Sequence, residues 1–74
     1  MVDKRRIDKW TTCYTYRINN KEYREYVTQH EDGHYSFEIY TDAGKVGWAI
    51  QDLGESFQEA RERAWDRAMG RRKD

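Results

Sequence analysis

Residues 34–50 read HYSFEIYTDAGKVGWAI, and residues 55–70 read ESFQEARERAWDRAMG; between them these two stretches decide the architecture. In the first, Tyr35, Phe37 and Ile39 alternate with Ser36, Glu38 and Tyr40, the two-residue period of a strand with two unlike faces. Asp42-Ala43-Gly44 supplies a turn, and Val46, Trp48 and Ile50 then line one face of a following strand. In the second, Ser56 followed by Glu59 spells a capping box, in which the Ser hydroxyl and the Glu carboxylate each take up an orphan backbone N–H. At 100° per residue Phe57, Ala60, Ala64, Trp65, Ala68 and Met69 form one apolar stripe, interrupted by Arg61, with Glu59, Glu62, Arg63 and Asp66 opposite. Gly70 suits the position just past the helix, and Arg71-Arg72-Lys73 complement its negative end. The small alanines let this helix lie close on a sheet rich in aromatic rings.

Upstream, Trp10, Thr12, Tyr14, Tyr16 and Ile18 share one face of a strand, with Thr11, Cys13, Thr15 and Arg17 on the other. Asn19-Asn20 tolerates positive φ and predicts a tight hairpin. The strand from about residue 22 to 29 carries Tyr23, Tyr26 and Val27; Tyr23 and Tyr26 differ in parity, which suggests a bulge there. Glu31-Asp32-Gly33 forms the next turn. The fold expected is α+β: a single antiparallel meander sheet of three to four strands packed on one C-terminal helix, ββββα. Residues 1–9, highly charged with only Val2 and Ile7 apolar beyond the first residue, read as a flexible arm; residues 10–70 form the domain and 71–74 a basic tail.

Composition bounds function. The 74 residues allow one small domain. Val, Ile, Leu and Phe total only ten, so three Trp and six Tyr must supply much of the buried apolar area. No run is long and apolar enough to span a membrane. The start lacks an apolar stretch behind its charges, and a lone Cys13 forms no internal disulfide, so the expected setting is cytoplasmic. Net charge is zero but unevenly laid out: +3 over residues 1–30, −6 over 31–59 and +3 over 60–74.

Candidate chemistry is sparse. His30-Glu31-Asp32-Gly33-His34 holds metal-ligand types but reads as a polar turn, since a His pair four apart converges only on a helix. Cys13 at mid-strand reads as a small buried hydrophobe. Asp42-Ala43-Gly44-Lys45 lacks the glycine spacing of a phosphate loop. One sheet and one helix enclose little concave volume, so no enzyme activity, metal or cofactor is expected.

Asp32-Gly33-His34-Tyr35-Ser36-Phe37, then Asp42-Ala43-Gly44-Lys45, then Glu55-Ser56-Phe57-Gln58-Glu59-Ala60 outline a strand–turn–strand–helix unit. That order resembles the AP2-like arm-binding domains of phage-type integrases and the double-stranded-RNA-binding-like fold of HicB antitoxins. The first resemblance implies DNA reading by a basic sheet face, from which the acidic 31–59 block departs; the second implies masking of a protein partner.

The first functional reading is a small non-enzymatic regulator, for example a phage- or mobile-element-encoded inhibitor, docking an acidic aromatic surface on a basic protein. Its candidate contacts are Tyr14, Tyr16, Tyr26, Tyr40, Glu31, Asp32, Glu38, Asp42 and Asp52. The second is a DNA- or RNA-binding domain using Lys4, Arg5, Arg6, Lys9, Arg71, Arg72 and Lys73. A third is homodimerisation through the open sheet face or an edge strand.

Overall fold

The computed structural model describes residues 2–71. Five strands precede one helix: β1 (Val2–Arg6), β2 (Thr11–Ile18), β3 (Lys21–Gln29), β4 (Tyr35–Thr41), β5 (Gly44–Ile50) and α1 (Phe57–Ala68). The strands form one antiparallel sheet in chain order, β1-β2-β3-β4-β5. The α+β meander with a C-terminal helix matches the expected class, with one strand more than expected.

That extra strand corrects the reading of residues 1–9. Val2–Arg6 pairs with Thr12–Tyr16 of β2, and every side chain of β1 is exposed. No hydrophobic period marks the segment because neither of its faces is buried; backbone pairing holds it, with Lys4 Nζ 5.9 Å from the Tyr14 ring centroid. Asp8 then turns the chain, its Oδ1 accepting from the N–H groups of Trp10 (2.7 Å) and Thr11 (2.9 Å). Trp10 therefore precedes β2 and is half exposed.

The hairpins follow their turn residues. Asn19 (φ 51°) and Asn20 (φ 65°) form the two-residue loop between Ile18 and Lys21, the conformation a type I′ turn demands. Asp42-Ala43 joins β4 to β5 between the paired Thr41 and Gly44. The bulge expected in the 22–29 strand lies elsewhere. The β2–β3 register is unbroken, so Tyr23 and Tyr26 simply face opposite sides. The irregularity is in β5: Ile39 faces Gly47 while Tyr40 faces Lys45, leaving Val46 as the extra residue. This also separates Val46, packed against the core, from Trp48 and Ile50, which were expected beside it and stand largely exposed.

α1 begins with the expected capping box: Ser56 Oγ accepts from Glu59 N–H (3.1 Å) and Glu59 Oε1 from Ser56 N–H (2.9 Å). It ends in a Schellman motif, with Gly70 (φ 72°) donating to the Arg67 carbonyl (3.2 Å) and Arg71 to that of Asp66 (2.7 Å). The helix lies over β4 and β5, where Ala60 and Ala64 are completely buried and Gly47 of β5 opens room for the Ala64–Ala68 turn.

Aromatic rings supply the core, as the composition requires. Phe57 meets Phe37 (5.1 Å between centroids) and Tyr35 (4.8 Å) edge-on, while Trp65 meets Tyr16 (5.0 Å) and Tyr23 (5.7 Å). The interruption at Arg61 has a structural purpose. Arg61 donates from Nε (2.9 Å) and Nη2 (2.7 Å) to the two carboxylate oxygens of Glu25, which is wholly buried on β3. Tyr16 OH (2.7 Å) and Trp65 Nε1 (3.0 Å) donate to the same carboxylate, and Arg61 also donates to the Tyr16 hydroxyl. No buried side-chain polar atom among the described residues lacks a partner.

Burial, then the hydrogen bond and charge of Glu25, push the Tyr16 phenol up to about 12, against the pull of Arg61. The neutral phenol is thus the form the fold prefers. Its stabilisation is fully present below pH 10, the ordinary tyrosine value, and is lost as pH rises from 10 through 12. Urea unfolding of wild type and Tyr16→Phe at pH 9, 10.5 and 11.5 measures this. The stability gap between them is expected to narrow steadily with pH; a gap independent of pH would contradict the assignment.

Candidate sheet-face interface

Because α1 covers one face of the sheet, register decides which side chains remain on the other. Cys13, Tyr26, Glu38 and Trp48 lie in one row across β2–β5, with Arg5 of β1 at its end. Thr15, Arg24, Tyr40 and Lys45 form the adjacent row, and Thr11, Thr28, Ser36 and Ile50 the row on the other side. Tyr26 and Tyr40 pack edge to face, 5.6 Å between centroids. With Arg24 and Glu38 they line an open depression of about 310 Å³. Lys45 Nζ pairs with Glu38 Oε2 at 3.2 Å, and His30 Nε2 is 2.9 Å from Ser36 Oγ.

Trp48 (49% exposed) and Ile50 (58% exposed) complete the surface at its β5 margin. The Trp48 ring is held from behind: Arg67 reaches round the sheet edge from α1, its guanidinium 4.4 Å from the ring centroid and its Nη1 donating to the Trp48 carbonyl (2.6 Å). A half-exposed ring already braced by Arg67 loses little conformational freedom on contact.

Of the expected aromatic contacts, Tyr26 and Tyr40 come together here. Tyr14 and Tyr16 do not: both are on the helix side, Tyr16 in the Glu25 network and Tyr14 under the Arg61 guanidinium (5.3 Å). The acidic residues are distributed rather than pooled. Glu38 is on the open face; Glu31 and Asp32 occupy the β3–β4 turn; Asp42 is in the β4–β5 turn at the opposite end; Asp52 lies in the β5–α1 connection. Asp32 pairs with His34 (3.0 Å), and that hydrogen bond, foremost, holds its carboxyl below the ordinary range. Arg63 gathers Glu55 (2.7 Å) and Asp52 (3.6 Å). The −6 sequence block is therefore divided among caps, turns and ion pairs.

The basic candidates are likewise apart. Lys4, Arg5 and Arg6 are on β1 and Lys9 on the following connection, its Nζ 5.2 Å from the Trp10 ring centroid. Arg71 pairs with Asp66 (3.0 Å) across the helix end, while Arg72 and Lys73 lie outside the described residues. Counted over the open face, Arg5, Arg17, Arg24 and Lys45 stand against Asp3, Glu22 and Glu38, a surface of mixed sign. Cys13 is buried between the Arg5 and Tyr26 strands. Among the described residues no three His, Cys, Asp or Glu side chains group as a metal site would.

Sequence reasoning missed Trp48 and Ile50 as contact residues. Their signal was present: Gly47 and Ala49 alternate with them, and small residues facing an alanine-lined helix leave the large ones facing away. The unit outlined by residues 32–60 is β4, β5 and the start of α1. No helix among the described residues is long and apolar enough to cross a membrane. No protein-family profile, curated protein or solved structure matches the chain.

Proposed function

We propose that this chain is a non-enzymatic protein-interaction module whose contact surface is the open sheet face. The observation that carries the reading is the contiguous patch of Tyr26, Tyr40, Trp48 and Ile50, with Arg24, Glu38 and Lys45 interleaved, on the face away from α1. Aromatic and arginine side chains dominate the binding energy of protein interfaces, and charges of both signs around them set register and partner choice. Nucleic-acid affinity instead depends on neutralising many phosphates. Four basic against three acidic residues on this face, with Lys45 already paired to Glu38, favour a protein partner of mixed polarity.

Capture from lysate at low and high salt by wild type and by a Tyr40→Ser/Trp48→Ser variant of unchanged circular dichroism tests the proposal. A specific protein retained by wild type and weakened about 30-fold or more in the variant is expected, since losing a hot-spot ring costs about 2 kcal/mol. Should the double variant fail to fold, Arg24→Glu probes the same patch. Equal capture by both proteins, no specific capture, or recovery of nucleic acid whose binding falls steeply with salt would overturn the proposal.

A further inference from the structure

The two edges of the sheet are finished differently. At the β5 edge the outward carbonyls of Trp48 and Ile50 are already taken by α1, through Arg67 Nη1 (2.6 Å) and Arg63 Nη2 (2.8 Å). No further strand can add there without displacing both arginines. At the β1 edge there is no such cover. Ile7 N–H donates to the Thr11 carbonyl, so antiparallel alternation turns the backbone groups of Asp3 and Arg5 toward β2. Those of Val2, Lys4 and Arg6 point away from the sheet, and none meets a backbone partner among the described residues.

The side chains decide what suits this edge. Lys4, Arg5 and Arg6 make it strongly basic, with Asp3 the sole acid in the strand. Two copies pairing β1 to β1 antiparallel about Lys4 would oppose lysine to lysine and join two strands that each carry excess positive charge. An acidic strand meets the opposite situation: carboxylates opposite Lys4 and Arg6 on the helix side, and backbone groups opposite the free N–H and C=O groups.

We propose that the outer edge of β1 docks an extended acidic segment of a partner protein by strand addition, as a sixth strand. This edge is separate from the open face, and the inference stands whether or not that face binds a partner.

The test uses the full chain, labelled for amide NMR, and two blocked eight-residue probes, one alternating Thr and Glu and the other Thr and Lys. The Thr-Glu probe is expected to shift the amides of Val2, Lys4 and Arg6 and to slow their hydrogen exchange at least about tenfold. The Thr-Lys probe leaves them unchanged. A Lys4→Glu/Arg6→Glu variant changes only exposed side chains and leaves the core intact, and should exchange the preference, losing the first probe about tenfold and gaining the second. Binding of neither probe, equal binding of both, or binding without protection of those three amides would overturn the proposal. So would sedimentation showing that the peptide-free chain already dimerises through this edge.

Discussion

Gly47→Ala is expected to lower stability by about 3 kcal/mol, near the top of the usual cost of overpacking a core. A Cβ at this position would lie 2.3 Å from the Ala64 carbonyl oxygen, 2.9 Å from the Ala68 amide nitrogen and 2.8 Å from the Ala68 Cβ. Two of these three atoms are backbone, so no rotamer change relieves them; α1 itself must move off β5. That movement also loosens the contacts of Ala60 and Ala64, both fully buried. A chain of 74 residues has roughly 4–11 kcal/mol of total stability to lose. The Tm should fall by about 12–24 °C, taking about 4–8 °C per kcal/mol for a domain of this size. Gly54→Ala is the control: its φ of +83° imposes backbone strain, but nothing lies within 4 Å, and a loss of about 1 kcal/mol is expected. A Gly47→Ala chain unfolding within about 1 kcal/mol of wild type would show that the helix does not sit where described.

Arg61→Met should cost about 3–5 kcal/mol, because it leaves a fully buried Glu25 carboxylate with no positive partner. Tyr16 and Trp65 still donate to that carboxylate, but neither brings charge. Adding Glu25→Gln removes the stranded charge while keeping an acceptor for those two donors, so the double variant is expected to be more stable than Arg61→Met alone. The coupling read from this cycle in urea unfolding distinguishes an ion pair from two independent packing losses. A double variant no better than the single, or an Arg61→Met loss under about 1 kcal/mol, would contradict the network's role. The pair also specifies register: slipping β3 by one residue would carry Glu25 to the open face and break all four of its hydrogen bonds.

Much of this fold is legible in the sequence for definite reasons. α1 announces both its ends by local chemistry, Ser56 with Glu59 at one and Gly70 at the other. β4 shows its two faces because one is buried and one is open. β1 is silent because its five side chains are all exposed, so only backbone pairing distinguishes it from a loop. The bulge at Val46 carries only a weak mark within the strand, the adjacent Gly47, which the alternation of Val46, Trp48 and Ile50 masks. The Glu25–Arg61 pair joins residues 36 apart and leaves two interruptions of opposite sign in apolar stripes: Arg61 among alanines, and Glu25 between Tyr23 and Val27. Reading them together would have predicted the pair.

The candidate surface was legible in part for the same reason. Parity places Tyr40 and Glu38 opposite Phe37 and Ile39, and the β3–β4 register brings Tyr26 beside Tyr40. Tyr14 and Tyr16 belong to the other face, which residue type alone does not reveal. The acidic run from 31 to 59 suggested an acidic surface because linear proximity was read as spatial proximity. Two hairpin ends, a helix cap and the Arg63 cluster divide it.

Oxidative side-chain footprinting of the chain with its captured protein partner tests the central claim most directly. Trp48, Tyr40 and Tyr26 are expected to become protected in the complex, while Tyr14 and Trp65 on the helix side keep the reactivity they have in the free chain. Protection confined to the helix side, with Trp48 and Tyr40 as reactive in the complex as alone, would show that the open sheet face is not the interface.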